Sequence, residues 1–254
     1  MSRCASYYLI PIYFVLWETL SRVFDISPIP APSKIFESWL AWGSQNYLRD
    51  LIYSLSRLYI GLLIGIFGGL GLAILTSSHG IIDRLLTPIL DSIRYVPPVA
   101  MIPFIITFLG IGEISKIFSV AISSTLILWV AIHSGLKTSA KRYELLALSL
   151  NLSPIIRWRY LTLPSLYQAI FPALRVSLGF GVVMIYVSEL SGASYGIGYR
   201  LSNAYLGYDM PMMFAAFINL TLIGFITDSL LVSGFKQICP WSFAKNDKRL
   251  QQIN

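Results

Sequence analysis

The sequence predicts an all-α, polytopic membrane protein with about six transmembrane helices. Of its 254 residues, 56% are hydrophobic and only 12% are charged, and the mean hydropathy is +0.68. A soluble domain would carry roughly 25% charged residues. The apolar stretches recur along the whole chain, each about 20 residues long, which is enough to cross the hydrocarbon core of a bilayer. Each span must be helical, because lipid offers no partner to backbone polar groups.

Six stretches fit this length, and the chain divides around them into three parts. The predicted spans are approximately residues 7–24, 55–77, 89–110, 117–135, 166–189 and 212–235. Residues 1–27 contain the first span, residues 28–235 a core of five spans, and residues 236–254 a tail. We interpret the first span as a retained helix rather than a cleaved signal, because no small-residue cleavage pattern follows it.

The second and third spans contain small residues and prolines that predict particular helix geometry. Gly61, Gly65 and Gly69 stand four apart in the second span, which predicts a face that another helix approaches closely. Pro97 and Pro98 interrupt the third span. Prolines remove helical hydrogen bonds, so this span is predicted to be a kinked helix, either beside a polar pathway or in an ordinary bundle.

The lysines and arginines outside the spans predict the orientation, because cytoplasmic loops of membrane proteins carry an excess of them. With the N-terminus inside, the cytoplasmic segments hold Arg3, Arg84, Lys137, Lys141, Arg142, Arg157, Arg159, Lys236, Lys245, Lys248 and Arg249. The outer segments hold Lys34, Arg49, Lys116 and Arg200. Eleven against four places both termini in the cytoplasm.

The formal charge of +7 is explained by these loops and does not indicate nucleic-acid binding. No basic, aromatic-interleaved soluble segment accompanies it. Cys4 and Cys239 show no metal-ligand spacing and are expected to be free thiols. No cofactor or metal site is predicted. No phosphate-binding G-x-x-x-x-G-K-[ST] motif occurs, so the chain is not predicted to be an enzyme that hydrolyses ATP itself.

The long cytoplasmic connection, residues 136–165, has the pattern of a helix, a break and a second short helix. Asn151 stands at the break, where Asn commonly replaces Gly in the left-handed conformation that closes a helix. Ser153 and Pro154 then supply a cap and a first helical residue. Pro164 is expected to end the short helix, because the residue before proline avoids the α region.

The short helix after the break combines large apolar side chains with arginines in a segment that should be polar. These residues are Ile155, Ile156, Arg157, Trp158, Arg159 and Tyr160. Aromatic and Arg side chains on an exposed helix are typical of the anchors of a protein interface. The alternative is a helix that lies on the membrane surface.

This segment resembles the EAA loop of binding-protein-dependent ABC permeases, in which Glu-Ala-Ala leads to a Gly and then to Leu-Pro. Asn151 stands thirteen residues before Pro164, where the family places its Gly. Glu144 stands one residue earlier than the family's Glu, and Leu145-Leu146-Ala147 replaces Glu-Ala-Ala. The first half of the motif is therefore degenerate and the second half is good.

Other stretches resemble the nitrate/sulfonate/taurine-type branch of this family, in order, over roughly residues 28–232. They are Pro30-Ala31-Pro32-Ser33, the Arg-x-x-Pro-x-x-Ala-x-x-Pro pattern over 94–103, Gly110-Ile111-Gly112-Glu113 with Lys116-Ile117-Phe118, and Ser188-Glu189 with Gly196-Ile197-Gly198-Tyr199.

The resemblance implies a type I ABC importer permease fold and a homodimer in the bacterial inner membrane. Its implied partners are two cytoplasmic ABC ATPases, an external solute-binding protein and membrane lipid, with nitrate, a sulfonate or taurine as the solute. The loop would couple the permease to the ATPase. The residues implied in coupling are Glu144, Ala147, Asn151, Ser153, Pro154, Ile155, Ile156, Arg157, Trp158, Arg159 and Pro164.

Candidates for the translocation pathway come from prolines and ionisable residues in the spans, where charge is costly. They are Arg94, Pro97, Pro98, Arg175 and Glu189. Arg94 stands three residues after Asp91 and is able to pair with it. Arg175 either attracts an anionic solute or pairs with a carboxylate across the bundle, and the second interpretation is favoured.

Two other classes of protein fit the sequence less well. An ion-coupled secondary transporter would need membrane-embedded carboxylates and often has inverted repeats; no such repeat is evident, and the carboxylates lie near span ends. An intramembrane enzyme would need a catalytic constellation, and His79 and His133 show no H-E-x-x-H pattern.

Overall fold

The computed structural model describes residues 3–23, 28–43, 46–78 and 80–240, with side chains except at 3–10, 140–142 and 144. Its helices are α1 (Arg3–Val23), α2 (Pro32–Gly43), α3 (Tyr47–Ser78), α4 (Gly80–Ile93), α5 (Ile102–Leu109), α6 (Glu113–Ser149), α7 (Pro154–Arg157), α8 (Leu163–Leu190), α9 (Ile197–Leu206) and α10 (Met210–Ile238). A 3₁₀ turn, Pro98–Met101, precedes α5, and a π-helical turn, Trp158–Thr162, joins α7 to α8. Within these ranges the chain is all-α, as predicted.

Four helical stretches of the described residues are long and apolar enough to cross a membrane. They are Tyr47–Ser78, Glu113–Ser139, Pro154–Leu190 and Met210–Ile238. A fifth candidate is the pair Gly80–Ile93 and Pro98–Leu109, bent by 96°. Helix α1 covers most of the predicted first span but is not among these candidates, so the count of six is not confirmed and stays a prediction.

The predicted third span, residues 89–110, differs from the structure in kind. It is not one kinked helix: α4 ends at Ile93, and the chain restarts at Pro98 in a sharply different direction. The reason is the Pro97-Pro98 pair, because each proline removes an N–H donor and pushes the residue before it out of the α region.

The cytoplasmic connection 136–165 is mostly helical, as the predicted helix, break and second helix imply. Helix α6 continues to Ser149 and α7 begins at Pro154, which leaves four residues between them. Residues 136–149 contain no Gly or Pro and are rich in Leu, Ala and Lys. Such residues favour helix. Helix α6 therefore continues beyond the end of its membrane-spanning part.

The described residues form two compact units, whose boundaries fall within α3, α8 and α10. One unit comprises residues up to Ser56 and Glu189–Ile223, and the other comprises Arg57–Ser188 and residues from Gly224 onward. The core of the second unit packs Ala73 of α3 against residues of α6 and α8. These are Leu128, Trp129, Ile132, Leu166 and Ala173.

The glycine face of α3 packs as the sequence predicts. A Cβ at Gly61 would lie 2.6 Å from the Cβ of Val120, and one at Gly69 would lie 2.8 Å from the Cβ of Leu128. Gly65 meets Ser124 in the same way. Side chains at these positions would force α3 and α6 apart.

Cys239, just past the end of α10, is a free and buried thiol. Burial raises the pKa of this thiol above its usual range. The side chain of Cys4 lies outside the described residues, so the expectation of a free thiol there stays a prediction.

Candidate functional site

Helix α6 ends in a Schellman motif centred on Asn151. Asn151 has φ of 49°, in the left-handed region. The N–H of Leu152 donates to the carbonyl of Ala147 at 3.0 Å, and the N–H of Asn151 donates to that of Leu148 at 3.1 Å. These two bonds satisfy carbonyls that a helix end leaves unpaired. The predicted left-handed break at Asn151 is therefore confirmed.

The chain restarts as a helix with Ser153 as the cap. Ser153 has extended backbone angles, and its Oγ accepts a hydrogen bond from the N–H of Ile156 at 3.5 Å. Pro154 occupies the first helical position, where its missing N–H costs nothing. This local prediction is confirmed.

The predicted stop at Pro164 is wrong. The chain runs as a helix from Pro154 to Leu190, with a π-helical turn over Trp158–Thr162. In this turn the N–H of Leu163 donates to the carbonyl of Trp158, five residues back. Proline in a helix clashes with the carbonyl four residues before it, here that of Tyr160. The wider turn relieves this clash, so Pro164 sits inside a continuous helix.

The start of this helix presents apolar side chains to the surroundings. Ile155 is 78% exposed and Trp158 is 46% exposed. Five other large apolar side chains around the break are also exposed, namely Leu145, Leu148, Leu150, Ile156 and Tyr160. We call these seven residues the break patch. Arg159 is exposed beside it, whereas Arg157 is half-buried.

Two further predicted coupling residues differ in how the structure places them. Ala147 is buried on α6 directly before the break. Glu144 lies in α6 by its backbone, and its side chain is outside the described residues.

The pathway candidates Arg94, Pro97 and Pro98 lie at the bend between α4 and the 3₁₀ turn. Arg94 forms the expected ion pair with Asp91, with 3.2 Å between Nε and Oδ1. Its guanidinium also lies 5.1 Å from the ring centre of Tyr95. Both side chains of the pair are well exposed.

Arg175 of α8 pairs with Asp228 of α10, which confirms the favoured interpretation of a carboxylate partner. Its Nε and Nη2 donate to the two carboxylate oxygens of Asp228 at 2.6 and 2.7 Å. The sequence did not identify the partner, because the two residues stand 53 positions apart.

Glu189, the last pathway candidate, is fully buried at the end of α8. Its carboxylate accepts hydrogen bonds from the Ser54 hydroxyl and the Gly198 N–H, both at 2.7 Å. Gly196 has φ of 135°, and a Cβ there would collide with the Glu189 carboxylate. The Gly-x-Gly spacing therefore allows the backbone to close around a buried carboxylate.

A second buried carboxylate, Asp50, was missed by sequence reasoning. It accepts hydrogen bonds from Trp42 Nε1 at 2.9 Å and from the Gly196 N–H at 3.0 Å. It also pairs with Arg200, with 3.0 Å between Nη2 and Oδ2. One feature of the sequence could have indicated this site. Asp50 and Ser54 stand four residues apart at the start of an apolar helix, so both lie on one face of it.

Another missed pair is Arg57 with Glu113. Arg57 Nε and Nη2 donate to the Glu113 carboxylate at 2.6 and 2.7 Å. Arg57 is only 1% exposed, whereas half of the Glu113 side chain is accessible. The sequence analysis used Glu113 only as part of a family pattern.

The all-α fold with several apolar spans is that of a polytopic membrane protein, and comparison with known proteins identifies its family. Residues 61–233 match the family described as binding-protein-dependent transport system inner membrane component. The chain belongs to this family. It is therefore a multi-pass membrane protein, an ABC transporter permease, rather than an ion-coupled secondary transporter.

Curated relatives cover most of the chain. A probable ABC transporter permease protein of Brucella melitensis is 28% identical over 214 residues, 84% of this chain and 87% of its own length. The taurine transport system permease protein of Escherichia coli is 25% identical over 238 residues, 91% of this chain and 86% of its own. The putative aliphatic sulfonates transport permease protein of Bacillus subtilis is 27% identical over 236 residues, which cover 91% of this chain and 84% of its own length.

Two solved structures share the fold. A chain of an amino acid ABC transporter has a TM-score of 0.61 at 18% identity and covers 78% of this chain and 95% of its own. A chain of the inward-facing MetNI methionine ABC transporter has a TM-score of 0.60 at 17% identity, and the match covers 77% of this chain and 95% of that one. They support the predicted type I importer permease fold.

Proposed function

We propose that this chain forms the translocation pathway of an ATP-driven importer for a small anionic solute of the nitrate, sulfonate or taurine class. We also propose that the segment from Glu144 to Pro164 transmits the action of a cytoplasmic ABC ATPase. The taurine and sulfonate relatives support the solute class.

The break patch is the observation that carries the coupling proposal. Isolated apolar residues are normal on a protein surface, but a contiguous patch marks an interaction site. Here the exposed apolar residues lie on both sides of a helix break, and Trp158 stands between two arginines in the sequence. Trp and Arg are the residues most enriched among the anchors of protein interfaces.

The structure around the break also connects the patch firmly to the long helix that follows it. The Schellman motif and the Ser153 cap satisfy backbone groups on both sides of four non-helical residues. The π turn then joins α7 to α8 without interruption. A force applied to α7 would therefore act on the whole helix to Leu190, as rigid-body coupling requires.

The other components follow from the family and the charge distribution. The chain lacks a phosphate-binding loop, so a separate subunit hydrolyses ATP. An external solute-binding protein delivers the solute, and two copies of this chain form a homodimer with the pathway at or near their interface. Both termini face the cytoplasm of the bacterial inner membrane.

The test is a Trp158→Ala variant, purified with the ATPase that co-isolates with the wild-type chain. Truncation of a buried aromatic anchor costs about 2 kcal/mol or more, which corresponds to roughly thirtyfold weaker association. Membrane insertion should be unchanged, because Trp158 is not in the core.

The matched control is Tyr205→Ala, which truncates an exposed aromatic on α9 and should leave ATPase association unchanged. If Trp158→Ala retains wild-type association and wild-type uptake, this segment is not the coupling element.

A further inference from the structure

The ion pair of Arg175 with Asp228 lies in an apolar part of the chain, yet it is open to the surroundings. Arg175 stands two to three residues from the middle of the predicted span 166–189, about 4 Å along the helix axis. Its side chain is 48% exposed and that of Asp228 is 30% exposed. Both residues belong to the same compact unit.

A half-exposed guanidinium at this depth is unfavourable on a lipid-facing surface, because a charged side chain is costly at the centre of a membrane helix. Ionisable groups at that depth almost always face the bundle interior or a water-filled cavity. One copy of the chain leaves this pair partly uncovered, as an edge that faces a polar pathway would be.

Arg57 provides a comparison within the same protein. Arg57 and Arg175 each use Nε and Nη2 to hold both oxygens of one carboxylate, at 2.6 and 2.7 Å. Arg57 is 1% exposed, so its guanidinium is enclosed by the fold. The geometry of the two pairs is the same, and only Arg175 presents its guanidinium outward.

The outward edge of Arg175 has the chemistry of an oxyanion site. Among the described residues, its Nη1 has no hydrogen-bond partner, so the edge formed by Nη1 and Nη2 is available to a second anion. Such an edge binds carboxylate, sulfonate or nitrate through two parallel hydrogen bonds. The ring of Phe171 lies 5.9 Å from the guanidinium carbon and borders this position.

The same helix face is open one turn away from Arg175. Gly179 follows Arg175 by four residues, so the two positions lie one above the other. A Cβ built at Gly179 meets no atom within 4 Å. The face therefore combines one guanidinium with an open position one turn away.

We propose that Arg175 receives the oxyanion group of the solute during transport and that Asp228 is its resident counter-ion when no solute is present. This inference rests on the proposed function, because it assumes that α8 and α10 line the pathway. The ligand class is a small oxyanion, such as a sulfonate or nitrate. Asp228 keeps the empty site neutral, and its negative charge competes with that of the solute at the free Nη1–Nη2 edge.

The experiment measures anion binding to the purified permease–ATPase complex in lipid nanodiscs, without the binding protein. The probes are methanesulfonate and nitrate, with tetramethylammonium as the cation control. We expect Arg175→Gln to weaken binding of the anions at least tenfold, and Asp228→Asn to tighten it several-fold because the guanidinium loses its competitor. Glu113→Gln is the matched control and should leave anion affinity unchanged.

A charge-swapped double variant, Arg175→Asp with Asp228→Arg, separates a binding role from a structural one. It rebuilds the ion pair but moves the guanidinium from α8 to α10, so we expect normal ATPase association and loss of uptake. Restored uptake in this variant would overturn the proposal, as would unchanged anion affinity in Arg175→Gln. If the wild-type complex retains its ATPase but binds neither probe, the anion site is refuted while the coupling assignment stands.

Discussion

The two connections at the ends of the continuous helix Pro154–Leu190 are held in different ways. The connection before it, residues 150–153, is closed by backbone bonds among near neighbours and by one serine cap. The connection after it, residues 191–196, is also held by a carboxylate from a distant part of the chain. The Gly196 N–H donates to Asp50, 146 residues away.

This difference corresponds to what each connection exposes. The first leaves large apolar side chains outward, because its own conformation requires no tertiary contact. The second turns the N–H of Gly196 inward to Asp50, and the N–H of Gly198 just after it donates to Glu189; both carboxylates are fully buried. A break closed by its own backbone bonds leaves its side chains available to a partner, as the proposed coupling role requires. A break tied to buried carboxylates is anchored within its own compact unit.

The largest expected effect is at Asp50. Asp50→Ala would leave the Arg200 guanidinium, the Trp42 indole N–H and the Gly196 N–H without their shared acceptor. Breaking a buried ion pair costs about 3–5 kcal/mol, and the partial exposure of Arg200 places the expected loss at the lower end. Thermal unfolding in detergent should show a large fall in the midpoint.

The control for that experiment is Asp91→Ala, which removes the partner of Arg94 from an exposed pair. Exposed pairs contribute about 0–1 kcal/mol, so the unfolding midpoint should hardly change. If both substitutions lower the unfolding midpoint equally, burial does not determine how much these two carboxylates contribute to stability.

A smaller effect is expected at Asn151. Asn151→Val places a β-branched residue at φ of 49°, which costs about 1–2 kcal/mol in the left-handed region. Asn151→Gly should be tolerated, because glycine adopts this conformation freely. The measurement is the amount of ATPase bound per amount of purified permease. A lower value for the Val variant than for the Gly variant reports the conformational penalty at this position. If Val and Gly behave alike, the left-handed residue is not what defines the break.

The smallest effect is expected at Ser153. Removal of a helix cap by Ser→Ala costs about 0.5–2 kcal/mol, and the 3.5 Å distance to the Ile156 N–H indicates the low end of that range. Thermal unfolding should therefore change by at most a few degrees. A loss as large as that of Asp50→Ala would mean that the connection before α8 depends on more than local bonds.

The sequence by itself determined the fold class, the break at Asn151 and the restart at Ser153-Pro154. Each of these depends on composition or on bonds between residues within a few positions. The same local reasoning failed at Pro164, because a proline stop is a statistical tendency that a π turn overrides. It also understated the bend at Pro97-Pro98, where two successive prolines end the helix rather than kink it.

Apart from the neighbouring pair of Asp91 and Arg94, only the tertiary structure decided which charges pair and which stand open. Arg57 and Arg175 are indistinguishable as arginines in apolar helices, yet one is enclosed beside Glu113 and the other presents an edge beside Asp228. Asp50 and Glu189 become internal acceptors only when Gly196 and Gly198 close over them. Partners 50 or more residues apart leave no periodic trace along a chain, because their encounter depends on helix packing rather than on neighbouring residues.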